Sequence, residues 1–458
     1  MISTPETSRR SIFWQHPEHD VEDAARKPLP FKVVHLSTYD LMGGAARAAY
    51  RLHSGLREAG VESSMFVREA RNNDHSIIKY QPTSSFLGRV ERRLRREYIQ
   101  RTLRPSVHPI DNHFEPFRID RSEYGTDLVS QLPAHDVLNL HWIVDFVDYG
   151  SFFVPWSTGK RLVWTLHDMN PFTGGCHYDL GCGRYLSRCT QCPQLRTPGE
   201  NDLSSQIWER KKTLFDRLPP DRLHVVAPSV WLANEAKRSP ILSRFPVSVI
   251  PYGIDLDDFA PRDKRSAREV FGISQQAKVV LFIADGLPLV RKGFDRLVEA
   301  LKKIKARIPT LHVVGVGHNS PALAAQIPYL NLGPINNDRL LSNIYSAADV
   351  VVIPSLQDNL PNTVLESMAC GTPVIGFAVG GIPDMIHHGK TGLLVPPTDT
   401  PAFGAAILEV LRNPERQSVL EAHCRQTAEQ HYSLQQQASR YQDLYSKLLS
   451  IPSKLPVL

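Results

Sequence analysis

Asp358 and Glu366 stand eight residues apart in "PSLQDNLPNTVLESMACGTPV". An apolar run ends near Pro354, and Pro361 fits the first turn of a helix. The two carboxylates can accept hydrogen bonds from sugar hydroxyls. The amides of the loop, those of Asn359 and Leu360 among them, and the helix start can hold a diphosphate. The other reading is a solvated pair of acids. A second anion site is suggested by "STYDLMGGAARAA". Gly43 and Gly44 sit there between a strand and a helix, and without Cβ atoms they let backbone N–H groups approach a negative charge. A plain tight turn would use the same residues.

Four of the six cysteines, Cys176, Cys182, Cys189 and Cys192, fall within residues 174–195 with the spacing C-x5-C-x6-C-x2-C. Four thiolates suit a structural, tetrahedral zinc ion, and Gly181 and Gly183 supply bends around Cys182. His167 and His177 are spare ligands. Four reduced thiols, or a redox pair at Cys189 and Cys192, remain open alternatives. Cys370 and Cys424 stand alone and read as core. Asp255 and Asp257 form a D-x-D, which reads as solvated linker acids rather than a metal site.

These residues need a scaffold. "FKVVHLSTYD", an Ala-rich helical stretch and "VESSMFV" give strand, glycine loop, helix and strand. "DVLNLHW", "RLVWTLHD" and "LHVVAPS" continue the strands. "VSVIPYGIDLDDFAP" reads as a linker. Alternation resumes with "AKVVLFIAD", "LHVVGVG", "DVVVIPS", "PVIGFA" and "TGLLVPP", separated by helical segments. The expected fold is α/β, with two Rossmann-like halves facing across a cleft. The expected divisions are a poorly ordered leader at 1–30, a first domain at 31–248 with a Cys-rich insertion at 174–195, a second at 249–430, and a C-terminal helix at 431–458 returning to the first. Parallel sheets bind ligands at the carboxyl ends of their strands, so the site should combine loops of both halves. The cysteine loop leaves the strand that ends near His167 and should wall the cleft.

The net charge of +6 permits an anionic partner without demanding one. No run of eighteen apolar residues exists, and the leader lacks the apolar segment of a secretory signal. The expected compartment is therefore cytoplasmic and reducing. Residues 88–104, "GRVERRLRREYIQRTLR", hold seven Arg against two Glu. If this segment is helical, Val90, Leu94 and Tyr98 line one stripe, and Ile99 and Leu103 another. Such a helix either lies on an anionic membrane, with Arg92, Arg93, Arg95 and Arg96 facing it, or packs on the domain as a solvated face.

The motifs, taken in order, resemble those of family 4 glycosyltransferases, which have the GT-B fold. They are Gly43–Gly44, "TLHD" at Thr165–Asp168, "VIPYGIDLDDF", "RKGFDRLVEAL" at Arg291–Leu301, Asp358 with Glu366, "ESMACGTPV", Gly380–Gly381 and "GKTGLLVPP". The resemblance spans residues 31 to about 445. It implies that Gly44 lies beside the donor diphosphate and that His167 hydrogen-bonds the donor sugar. It further implies that Lys292 pairs with the diphosphate, Asp358 touches the sugar hydroxyls and Glu366 the ribose diol. It implies retention of configuration and no catalytic metal. Two positions depart from the pattern. Asp358 replaces the usual Glu, and the usual Arg before the Lys is missing at Gly286 and Leu287. Arg291 is the candidate substitute, although neighbouring residues ordinarily point in different directions.

The expected function is transfer of a sugar from a nucleotide-diphosphate sugar to a glycan or lipid-linked glycan, with no nucleic-acid partner. An epimerase or phosphorylase on the same fold is one alternative. A zinc-knuckle nucleic-acid-binding protein is another, but it leaves Asp358 and Glu366 unexplained.

Overall fold

The structure, a computed structural model, describes residues 31–107, 115–125, 127–155, 161–286, 289–318 and 327–450. The leader, Leu287 and the last eight residues of the expected C-terminal segment lie outside the described residues.

Seven strands form the first sheet: β1 Lys32–Tyr39, β2 Glu62–Glu69, β3 Ile77–Lys79, β4 Val137–Leu140, β5 Leu162–Thr165, β6 Leu223–Ala227 and β7 Val247–Val249. Six form the second: β8 Lys278–Gly286, β9 Leu311–His318, β10 Tyr329–Asn331, β11 Val350–Ile353, β12 Val374–Phe377 and β13 Gly392–Val395. The orders are β3-β2-β1-β4-β5-β6-β7 and β10-β9-β8-β11-β12-β13, and every pairing is parallel. Every residue of β4, β5, β11 and β12 is buried. That is why these strands read as unbroken apolar runs: helices cover both faces of a parallel sheet.

Each sheet has a core on either side. In the first, Trp164, Phe153 and Phe215 pack on one face. On the other face, Leu52 and Leu56 of α1 (Gly44–Glu58) meet Tyr441, Tyr445 and Leu448 of the last helix, Leu434–Ser450. The C-terminal helix thus belongs to the core of the first domain. Tyr445 Oη donates to Asn139 (2.9 Å), and the Thr165 hydroxyl bonds Tyr441 Oη (2.8 Å).

The chain crosses between domains twice at one place, where Ile254 of the linker bridges Ser433. Asp255 Oδ1 accepts the amides of Asp257 and Asp258, both at 2.9 Å. That D-x-D oxygen therefore organises a turn of the linker.

The basic segment is helix α2, Phe86–Ser106, capped by Ser85, whose Oγ accepts the Gly88 amide at 3.1 Å. None of its residues is fully buried. Ile99 and Leu103 rest against Phe117, Ile119 and Leu195. Val90, Leu94 and Tyr98 stay exposed. Arg92 donates to Thr83 O, and Arg95 and Arg96 pair with Glu91 and Glu123. The four arginines expected to face a membrane together are therefore split, because three of them are spent on contacts within the domain.

Candidate functional site

The carboxyl ends of the two sheets meet, and the sequence-distant motifs meet with them. β8 ends in a loop that closes with a 3-10 turn, Val290–Lys292. Gly293 follows with φ +70°, and a Cβ there would stand 1.9 Å from Pro354 O. Only glycine lets this turn lie against the end of β11. The tight turn places neighbouring side chains on one target. Lys292 Nζ donates to Asp358 Oδ2 at 2.8 Å, and Arg291 Nη1 lies 3.3 Å from Oδ1. The different directions expected for Arg291 and Lys292 are not found. Arg291 is buried and reaches inward across the Tyr178 ring (4.0 Å to the centroid), while Lys292 reaches Asp358 with its more exposed ammonium.

Asp358 also lies near the Tyr178 hydroxyl (3.4 Å) and Ser355 Oγ (3.3 Å). Burial alone would raise its carboxyl, but Lys292 and Arg291 outweigh burial and hold it at about 2. Arg291 also pairs with Glu115 and donates to Gln357 O (2.8 Å). Burial opposes its charge, and the two acids more than restore it.

Asn359 ties the domains together. Its amide donates to His167 O (3.0 Å), and its oxygen accepts from Ser229 Oγ (2.6 Å). Leu360 is buried in the second domain's core. Gly43 precedes α1 with φ +84° and no side-chain cap, and Gly44 O accepts from Asn362 Nδ2 at 2.9 Å. The glycine pair and the helix Asn362–Ala369 therefore face each other across the cleft.

Glu366 is on that helix and is fully engaged. Arg51 of α1 donates to its Oε1 and Tyr345 to its Oε2, each at 2.8 Å. Asp338 holds the same guanidinium at 3.6 Å, and Arg47 at 3.2 Å. The carboxylate that the resemblance assigns to the ribose is thus bound by a cation of the opposite domain.

His167 is also engaged on both ring nitrogens. Nε2 bonds His141 Nδ1 (3.0 Å), and Nδ1 bonds the Tyr252 hydroxyl (2.7 Å). His141 in turn meets His35 at 2.9 Å. Burial drives His167 down to about 4 and pushes His35 and His141 well below the usual histidine range. The chain of three rings is neutral, and it ends at the linker tyrosine. Sequence reasoning missed Tyr252, Tyr178, Arg51, His141 and Glu115. "IPYGID" contains Tyr252, but nothing in the sequence pairs it with His167, 85 residues away.

Cys176, Cys182, Cys189 and Cys192 line one pocket with Phe117 and Tyr185. All are free thiols, and all but Cys182 are buried. Burial raises Cys189 to about 12 and Cys192 to about 11. Among the described residues, no three His, Cys, Asp or Glu side chains are grouped as a metal-holding set. The four sulfurs share a pocket without a closed ligand cage. The loop carrying them does form a wall of the cleft. Leu180 N donates to Gln357 Oε1 (2.8 Å), and Gln357 donates to Asp179 (2.7 Å).

Residues 277–413 match the family described as Glycosyl transferases group 1. The D-inositol 3-phosphate glycosyltransferase of Geodermatophilus obscurus is 36% identical over 197 residues, covering 39% of this chain and 43% of that protein. Its namesake in Mycolicibacterium smegmatis is 33% identical over 232 residues, covering 48% and 49%. The chain thus spans less than half the length of these curated relatives. Among solved structures, sucrose-phosphate synthase of Thermosynechococcus elongatus superimposes with a TM-score of 0.62 at 21% identity, over 92% of this chain and 99% of its own. Anabaena Alr3699/HepE, in complex with UDP and glucose, gives 0.59 at 16% identity, over 91% and 99%. At these identities the likeness shows the fold, which is GT-B. No helix among the described residues is long and apolar enough to cross a membrane.

Proposed function

We propose, from a chain whose residues 277–413 match the Glycosyl transferases group 1 family, that this protein moves a sugar from a nucleotide-diphosphate sugar to a glycan or lipid-linked glycan. The observation that carries the reading is the convergence of Lys292, Arg291 and Asp358 on the carboxyl ends of one sheet, opposite the open helix start at Gly43–Gly44. HepE, solved with UDP and glucose, supports a donor of this class.

Cleaving a sugar–phosphate bond builds negative charge on the leaving diphosphate. Lys292 is the more exposed cation of the pair, and it can exchange Asp358 for phosphate oxygens. Arg291, fixed by Glu115, holds a second positive charge nearby. The first amides of α1 add donors already aimed at an anion. Together they supply counter-charge to the leaving group without calling on a metal ion. Asp358, relieved of Lys292, then accepts hydrogen bonds from sugar hydroxyls. The ribose reaches Glu366 by displacing Arg51, so donor binding must loosen that interdomain ion pair. His167 acts on the sugar once Tyr252 gives way. Retention of configuration belongs to the same reading through the resemblance.

Zinc in the cysteine pocket is a separate proposal. Four thiols on one pocket fit a soft cation, provided the loop draws them together around it.

The test is binding and hydrolysis across UDP-, GDP- and ADP-sugars. One nucleotide-sugar series should bind and be turned over, and its binding should weaken in Lys292→Ala. An epimerase would return an altered donor with no transfer.

A further inference from the structure

Helix α2 presents two faces of different character. The inner face runs through Gly88, Arg92, Arg95, Ile99 and Leu103, each partly covered by the domain. The outer face carries Phe86, Val90, Leu94 and Tyr98 at steps of four residues, with Leu87 beside them. Leu87 is 78% exposed, Phe86 71% and Leu94 65%. A solvated helix face rarely spends its largest apolar side chains on water in a continuous stripe.

The arginines divide in the same way. Arg92, Arg95 and Arg96 are held by Thr83, Glu91, Asp148 and Glu123. Arg89, Arg93, Arg101 and Arg104 are exposed beside or within the apolar stripe, and among the described residues the ordering contacts stop short of them apart from Arg104 to Gln100. The outer face therefore combines a row of large apolar groups with four outward cations against one exposed acid, Glu97.

We propose that α2 docks this protein on an anionic lipid surface. The stripe enters the boundary between headgroups and acyl chains, and the four arginines meet lipid phosphates. A nucleic acid would engage the cations but leave Leu87 and Leu94 in water. A second protein copy would accept the stripe but gather like charges. A bilayer with anionic lipid satisfies both halves of the face at once.

The placement also serves the cleft. The chain leaves α2 through Val107, which bridges Leu195, while Arg196 N donates to Ser106 O at 2.9 Å. Leu195 closes the cysteine loop whose Tyr178 and Leu180 touch Asp358 and Gln357. A surface held by α2 is thus one packed layer from the wall of the cleft. The inference stands on α2 alone, and vesicle binding reads it without any turnover.

The test is co-sedimentation of the full chain with vesicles of phosphatidylglycerol mixed with phosphatidylcholine, and of phosphatidylcholine alone, at low and high salt. The parent should bind the anionic vesicles at low salt, more weakly at high salt, and neutral vesicles weakly. Arg89→Gln, Arg93→Gln, Arg101→Gln and Arg104→Gln together should lower partition by about a hundredfold or more, since each charge near an anionic leaflet is worth about fivefold. Leu87→Gln with Leu94→Gln should lower it by about tenfold or more while leaving the melting temperature unchanged. Equal partition of parent and both variants would overturn the proposal. So would preferential binding of single-stranded RNA that survives the leucine changes, or a dimer by sedimentation velocity that the leucine changes dissolve.

Discussion

Lys292 and Glu366 were equivalent donor contacts in sequence, but the structure separates them. Lys292 is partly exposed and bonds one acid, whereas Glu366 is buried between Arg51 and Tyr345. Lys292→Ala should lower transfer by about a hundredfold or more, because it removes the cation that meets the developing charge, and the melting temperature should change little. Glu366→Ala should lower both transfer and stability, the latter by about 3–5 kcal/mol, because Arg51 is left buried without its main partner. Kinetics beside thermal melting check the contrast. A Glu366→Ala protein as stable as the parent would detach Arg51 from the fold's energetics. Asp358→Glu should retain more activity than Asp358→Ala, since alanine removes the acid that Lys292 and Arg291 share and leaves Lys292 without it and Arg291 with Glu115. Asp358 and Glu366 were legible because eight residues of loop and helix fix their relation. Arg51 was not, because 315 residues separate it from the acid it binds.

At the scale of elements, the sequence carried the alternation of strands and helices. Fully apolar runs such as "DVVVIPS" announce a strand covered on both faces. Glycines marked the turns but not their consequence. Gly293 lets a 3-10 turn press on Pro354, and that approach aims both Arg291 and Lys292 at Asp358. Gly293→Ala should therefore lower transfer and stability together, and a conservative swap at exposed Arg296 on the next helix should do neither. Activity and melting of the two variants check this. The cysteine loop was legible as a unit, and its place on the cleft wall followed from its distance to His167. Its internal geometry was not, because ligand spacing does not say how four sulfurs face one another. Elemental analysis of untagged protein should find about one zinc per chain. No transition metal would assign the pocket to four packed thiols. In α2 the sequence showed the amphipathic stripe but not that Arg92 bonds Thr83 O while Arg95 and Arg96 pair with Glu91 and Glu123.

Across the whole molecule, the buried histidines set an acid limit. Burial first, with Arg57 beside His53 and Lys447 beside His224, takes both of these to about 4, as burial takes His167. In the unfolded chain they titrate near about 6.5. Between those values the unfolded state binds more protons, so stability is full above about pH 6.5 and falls as the pH drops toward 4. Asp358, held at about 2, keeps its contribution until the pH falls below about 4. Melting temperature should thus decline from about pH 6.5 downward, and a flat profile across that window would mean the rings are solvated. Contacts across the cleft hold Arg51 on Glu366 and Tyr252 on His167. A donor that binds here has to compete with both. The most direct measurement is calorimetric titration of the full chain with UDP-, GDP- and ADP-sugars, repeated on Lys292→Ala. The account predicts saturable binding of one nucleotide-sugar series, weakened at least about tenfold in Lys292→Ala by loss of a charge-assisted contact. Absence of binding by all three series, or equal binding by parent and variant, would contradict it.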